Sequence, residues 1–575
     1  MINFKEIIAT RLVDKAEGLT KEEIEAMLER PADNKLGDYA FPCFRLAKVM
    51  RKSPALIAKD IAERLSGDPL FAKVESVNAY VNMFMSRETF MSQVISTVVK
   101  EGERFGSSDV GKGRKVIVEY SSPNIAKPFH IGHIRSTVIG NAIYKIYAFL
   151  GYDTVRINHL GDYGTQFGKM IVAYRRWGKK EDVEKKPIKT LLGYYVKYHE
   201  EEEKDPNLED EARATFTKLE NGEKEEVALW QWFRDESLKE FNRVYKMLGI
   251  EFDSYAGESF YSDKMDKVIH QLNEKNLLVQ SEGAQIVDLS DYNLSPALVT
   301  KSDGSTLYIT RDIAAAIYRK EHYDFHKNIY VVASQQNLHF QQWIQIVELM
   351  GYDWARSCIH VPFGLVSLED GTMSTRHGRV VFLEEVLTKA VEQTKQIILE
   401  KNVNTDNMDI TAKQVGIGAV IFNELSNGRI KDYVFSWNKI LNFDGETGPY
   451  VQYTHARAAS VLRNSEIDNQ RPETVLGDPD QMDFSYIVGD QAYELARMIY
   501  LFPDVVVEAA ERYEPSIVTR HIVGIAQSFN RFYHNEHILV ENEKERKAKL
   551  FLTYATKQTL KNGLQLLGIE VPERM

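Results

Sequence analysis

The sequence predicts a multi-domain α/β protein: a split, Rossmann-like parallel-sheet catalytic domain with a helical insertion, an N-terminal α+β domain and a C-terminal all-α bundle. Three observations predict it. The stretch KVIVEYSSPNIAKPFHIGHIRSTVIG, residues 115–140, passes from a buried apolar run at Val116–Val118 through a Ser-Ser-Pro-Asn turn into a helix. That helix places Ile134, Val138, Ala142, Ile146 and Leu150 on one face. Two further short apolar strands, NIYVVAS at 328–334 and IHVPFG at 359–364, come only after a long charge-dense helical stretch. From about residue 390 onward the pattern is nearly all helical. At 575 residues, about four domains are expected.

In chain order, residues 1–110 read as a separate module, with helices at 3–15, 21–29 and 53–65 and one alternating strand in VESVNAYVNMFMS. Residues 111–170 form the first half of the nucleotide-binding unit. Its second strand, 154–160, runs into Gly161-Asp162-Tyr163-Gly164-Thr165-Gln166, the kind of strand end where open α/β sheets hold ligands. Residues 171–290 form the insertion, whose acidic run HEEEEKDPNLEDEAR is a solvated helix face and whose Trp230, Trp232 and Phe233 are core residues. The sheet resumes over 291–390, with a strand at 306–309 leading into a helix that opens Thr310-Arg311-Asp312. A helical linker region, 391–454, leads to the bundle, 455–575.

Composition bounds the function without fixing it. Hydrophobic content of 43% and charged content of 27% are ordinary for a globular protein. No apolar run is long enough to span a membrane, and the first residues carry neither a signal nor a transit pattern. Cys43 and Cys358 stand far apart with no companion ligands, which argues against a disulfide framework and a structural zinc, so a cytoplasmic location is expected. The net charge of −11 is silent on nucleic acid, because a large protein can confine its positive charge to one face.

The chemistry concentrates at His130-Ile131-Gly132-His133. Strand, turn, glycine and helix N-terminus together make a phosphate site, with backbone N–H groups and the positive dipole end facing a ligand. Two imidazoles three residues apart add donors, and Gly132 leaves room for a flat ring. The whole string resembles the signature of class I aminoacyl-tRNA synthetases. Its flank, SSPNIAKPFHIGHIRSTVIGN, is similar to that of the arginine–tRNA ligases, and the resemblance extends over essentially the full chain.

That resemblance implies activation of L-arginine by ATP to arginyl-adenylate, then transfer to tRNA(Arg), with tRNA required for the first step. His130, Gly132 and His133 would meet ATP. The second signature, Lys-Met-Ser-Lys-Ser in the class, corresponds here to Thr372-Met373-Ser374-Thr375-Arg376, so both lysines are missing. Lys127, with Arg376 nearby, is the expected substitute. Glu119, Tyr308 and Asp312 would take the guanidinium, as carboxylates suit its fork of donors. Ser122, Asn124, His133 and Gln336 would hold the amino-acid backbone. Asn78, Tyr80 and Asn82 would contact the corner of the tRNA, and Tyr533 and Met575 its anticodon, through stacking on unpaired bases. Mg²⁺ is expected with ATP, no dedicated metal ligands are, and a monomer is expected. The alternatives are another nucleotidyltransferase with the His-x-Gly-His signature, which the chain length disfavours, and a non-enzymatic tRNA-binding relative.

Overall fold

The computed structural model describes residues 3–300, 308–368, 381–400, 407–442, 445–467 and 471–575. The N-terminal unit is an antiparallel sheet of β1 (Tyr39–Pro42), β2 (Phe71–Val77) and β3 (Tyr80–Met85), in the order β1-β3-β2, backed by the helix Pro54–Leu65. The single strand expected in VESVNAYVNMFMS is a hairpin instead. Asn78 turns the chain with φ 56°, a conformation its short polar side chain tolerates.

The central sheet is parallel throughout. Its central strand β4 (Lys115–Glu119) pairs on one side with β5 (Asp153–Ile157). The insertion follows, carrying the helix Lys224–Leu248 and an antiparallel sheet of β6 (Leu278–Ser281), β7 (Ala284–Val287) and β8 (Ala297–Thr300) that the charge pattern had hidden. The chain then returns as β9 (Lys327–Ala333) on the other side of β4, and β10 (Cys358–Phe363) completes the order β10-β9-β4-β5. Arg156 on the edge strand β5 grips the Asp253 carboxylate through Nε (3.0 Å) and Nη2 (2.8 Å), which fastens the segment after the helix Lys224–Leu248 to the sheet.

The helix Gly132–Phe149 lies flat on β4. Gly140 makes that approach possible: a Cβ there would sit 2.2 Å from the Cβ of Tyr120. The strand expected at 306–309 falls partly outside the described residues, at Thr306 and Leu307. Its described residues, Tyr308 and Ile309, belong to the helix Tyr308–Tyr323. Beyond 390 one short strand interrupts the described helices: β12 (Tyr433–Phe435) returns to pair in parallel with β11 (Val366–Leu368). The bundle proper comprises Gly448–Arg463, Asp490–Glu511, Ser516–Asn535 and Glu543–Leu566. The N-terminal unit docks on it through Arg30–Asp504 (3.0 Å) and Tyr39–Tyr500 (2.8 Å).

Candidate active site

A pocket of about 620 Å³ opens at the carboxyl ends of β4, β9 and β10, where open parallel sheets bind ligands. Ser122, His130, Gly132 and His133 line one side, and Val331, Phe363, Leu365 and Asp432 the other. The helix that starts at Gly132 has no side-chain cap. Its first N–H is taken by the neighbouring imidazole instead: Gly132 N–H donates to His130 Nδ1 (3.1 Å). The His130 N–H donates in turn to His133 Nδ1 (3.2 Å), which also lies 3.3 Å from the His130 carbonyl. The two rings lie 4.0 Å apart.

Burial pushes His130 down to about 4. Burial, then repulsion from His130 and Lys127, pushes His133 down to about 3. Both imidazoles are therefore neutral at neutral pH. A neutral imidazole whose Nδ1 accepts carries its proton on Nε2, so the pair presents N–H donors without presenting charge.

The signature loop is stitched to its surroundings through the main chain. Ile131 N–H donates to Val381 O (3.1 Å) and Leu383 N–H to Phe129 O (2.9 Å), so the chain re-emerging at Val381 lies against the histidines. The turn expected to line the pocket at Gly161 abuts Asn124: a Cβ on Gly161 would sit 2.0 Å from Asn124 Oδ1. Asp162 faces inward, accepting from Arg234 Nε (3.1 Å) and the Ser259 hydroxyl (2.9 Å), and so ties the insertion down. Lys127 donates to Gln166 Oε1 (3.4 Å) and lies over the Tyr195 ring. Ser122 adopts φ 47°, and its hydroxyl is buried with no hydrogen-bond partner among the described residues.

A second constellation lies along the same sheet edge. Asp312 Oδ2 accepts from His339 Nε2 (2.6 Å), and the Tyr308 ring packs 4.5 Å from the His339 ring. Tyr308 is 55% exposed, so it is open to a ligand. Gln336 is exposed just beyond the end of β9. Glu119 differs from expectation: its carboxylate is not free, because Arg319, fully buried, meets it at 2.5 Å. A bound guanidinium would share that carboxylate rather than own it.

Sequence reasoning missed His339, Arg319 and Glu258. The Glu258 carboxyl, near Asp312 and Asp162, is pushed up to about 7 by burial, with Arg311 partly offsetting. Its ion pair with Arg311 spans 3.3 Å. His159 in the HLGD string was the available signal: it lies against Arg319 (3.4 Å) and stacks on Tyr261.

Other expected residues divide. Met373, Ser374 and Arg376, with Thr372 and Thr375, lie outside the described residues. Asn78 is exposed at its turn and Tyr80 half-buried beside the exposed Phe44 ring. Asn82 is a correction: it is only 3% exposed, central in β3 between two strands, and cannot reach a nucleic acid from there. Tyr533 is 37% exposed with the Arg457 guanidinium over its ring. The tail leading to Met575 is pinned on the bundle by Gln452 to Glu570 O (2.8 Å) and by the Lys557–Glu573 ion pair (2.7 Å).

Comparison with known proteins places this architecture. Residues 93–437 match the model for tRNA synthetases class I (R), catalytic domain. Residues 451–575 match the DALR anticodon binding domain, and 3–85 the arginyl tRNA synthetase N terminal domain. The chain is 60% identical to an arginine–tRNA ligase of Clostridioides difficile and 56% identical to that of Halothermothrix orenii, in each case over 575 residues and 100% of both chains. Its fold is that of the arginyl-tRNA synthetase structure from Thermus thermophilus, with a TM-score of 0.78 at 24% identity, covering 100% of this chain and 99% of the other. The structure from Plasmodium falciparum gives a TM-score of 0.76 at 24% identity, covering 100% and 98%. Full-length identity at this level, together with three matching domain models in the right order, shows that the chain belongs to the arginine–tRNA ligases of the class I aminoacyl-tRNA synthetases.

Proposed function

We propose that this protein joins L-arginine to tRNA(Arg) in two steps. The arginine carboxylate attacks the α-phosphorus of ATP, pyrophosphate leaves, and arginyl-adenylate forms. A hydroxyl of the terminal adenosine of tRNA then attacks the adenylate carbonyl, and AMP leaves. One observation carries the reading: a neutral pair of imidazole donors and an aspartate–histidine–tyrosine group stand along one edge of a parallel sheet.

Positioning and electrostatics do most of the work in phosphoryl chemistry. His130 and His133 would donate from Nε2 to phosphate oxygens that gain charge at the transition state. Neutral donors suit this task, because they need no counter-charge before ATP arrives. Asp312 and Tyr308 would receive the guanidinium, with Glu119 contributing through its shared carboxylate. A lysine substrate would lose the fork geometry and leave an acceptor unpaired, at about 1–3 kcal/mol. Ser122, whose hydroxyl lacks a partner among the described residues, would hold the amino-acid backbone with Asn124 and Gln336.

Lys127, with Arg376, would stand in for the missing loop lysines at the pyrophosphate. Mg²⁺ would enter on the ATP phosphates, as it does where substrate phosphates supply most of its oxygen ligands. Asn78 and Tyr80 would meet the tRNA corner, and Tyr533 and Met575 the anticodon. Among the described residues no helix is long and apolar enough to cross a membrane. A monomer is the expected working form.

Aminoacylation of total tRNA with each of the twenty amino acids tests the assignment: only arginine should be incorporated, and charging of any other amino acid at a comparable rate refutes it. Pyrophosphate exchange with arginine should stay near background until tRNA is added.

A further inference from the structure

One wall of the nucleotide pocket is built from two short stretches held together by their main chains. Gly364 N–H donates to Arg429 O (2.8 Å) and Tyr433 N–H to Leu365 O (3.1 Å). Leu365 N–H donates to Asp432 Oδ1 (2.6 Å). Gly364, Leu365 and Asp432 all face the pocket.

Two arginines fasten this wall from behind. Arg135, fully buried two residues after His133, directs its guanidinium at the carbonyls of Lys431 (2.7 Å), Arg429 (3.1 Å) and Gly364 (3.3 Å). Arg429 faces the other way. Its Nη1 donates to Pro362 O (2.6 Å) at the end of β10, and its Nε to Tyr513 O (3.1 Å). Its main-chain N–H and guanidinium also face the Glu514 carboxylate at 3.4 Å and 3.9 Å. Tyr513, with φ 53°, and Glu514 form the turn between the bundle helices Asp490–Glu511 and Ser516–Asn535, and the second of these carries Tyr533. The turn is held from the sheet as well: Lys327, at the start of β9, donates to the Tyr513 hydroxyl (3.2 Å).

One rigid side chain therefore spans the end of a catalytic strand and a turn of the helical bundle. A guanidinium can reach two carbonyls in fixed directions, whereas an ammonium is a point donor on a flexible stem. We propose that Arg429 is a positioning residue for the activation step, holding the 362–365 wall of the nucleotide pocket against the 513–514 turn so that the seating of the bundle sets how well the pocket holds ATP. The inference rests on the ATP-dependent charging proposed above and names the contact through which the RNA-reading bundle acts on it.

The test compares full-length Arg429→Ala, Arg429→Lys and Glu514→Gln variants with the parent chain, in charging assays and in direct binding of a non-hydrolysable ATP analogue. Arg429→Ala should weaken analogue binding and raise KM for ATP at least about tenfold, while KM for arginine stays within about twofold. Arg429→Lys should recover part of the loss. Glu514→Gln should have a smaller effect on ATP that adds little on top of Arg429→Ala, the mark of residues acting as one unit. Adding tRNA should tighten analogue binding in the parent and not in Arg429→Ala. Unchanged analogue affinity in Arg429→Ala overturns the proposal. So does an equal rise in both KM values together with a lowered Tm, which marks a merely structural role. Should Arg429→Ala fail to fold, the lysine and Glu514 variants decide by the same readouts. A parent chain that binds the analogue but charges no tRNA refutes the function and leaves the binding comparison to judge Arg429.

Discussion

His130 and His133 owe their donor character to where their Nδ1 atoms point. Each accepts from a main-chain N–H elsewhere in the same turn, His130 from Gly132 and His133 from His130, and burial keeps both rings neutral. Removing one well-aimed donor of this kind typically costs about 10²–10³ in rate, so His130→Ala should lower kcat by that order. An unchanged charging rate would end its assigned role. Neither histidine should produce a break in the pH–rate profile near 6.5. A different group should titrate in that range. Glu258, raised to about 7, is protonated below that value and adds negative charge beside Asp312 above it. KM for the cationic arginine should therefore fall as pH rises through about 7, and Glu258→Gln should flatten the profile. The histidine pair was legible because the strand, turn and helix that carry it are contiguous in sequence. Glu258 and His339 were not, since each arrives from a different segment and only the fold brings them beside Asp312, and Arg319, further along Asp312's own helix, meets its partner Glu119 on a distant strand.

Among the elements, the strand–turn–helix at 115–149 was readable from periodicity, and its close packing turns on one residue. Gly140→Ala would press a methyl into the Tyr120 side chain, and overpacking of this kind costs about 1–3 kcal/mol. Thermal unfolding should show a lower Tm, and an unaltered Tm would mean the helix can shift away without loss. Gly161→Ala should displace the Asn124 amide and raise KM for arginine with little change in Tm. Other elements were misread for physical reasons. The hairpin at 71–85 alternates continuously, so its turn depended on a left-handed Asn78 that periodicity does not register. Asn82, which the resemblance put at the tRNA contact, is instead 3% exposed on the central strand of that sheet. β11 and β12 are three residues each and more than sixty apart, too short to show a period.

Across the molecule, several histidines are held neutral inside the protein. Burial pushes His360, His455 and His521 each down to about 4, as it does His130. In the unfolded chain these groups take up protons near 6.5, so between about 6.5 and 4 the unfolded state binds more protons and stability falls as pH falls. Denaturant unfolding should show a steep loss over that window. His455→Gln should reduce the slope, because His455 faces the carbonyl of Pro572 inside the bundle (3.2 Å) and the amide carries no titrating proton. The domain order was readable from composition and pattern. The docking of the N-terminal unit on the bundle was not, because Arg30 and Asp504 lie at opposite ends of the chain. The main-chain stitching of the signature turn has a consequence for local opening. Ile131 N–H donates to Val381 O and Leu383 N–H to Phe129 O, so the start of the helix Leu383–Glu400 is bonded directly to the residues that carry the histidines. Fraying of that helix's first turn and loss of the histidines' placement are therefore one event rather than two.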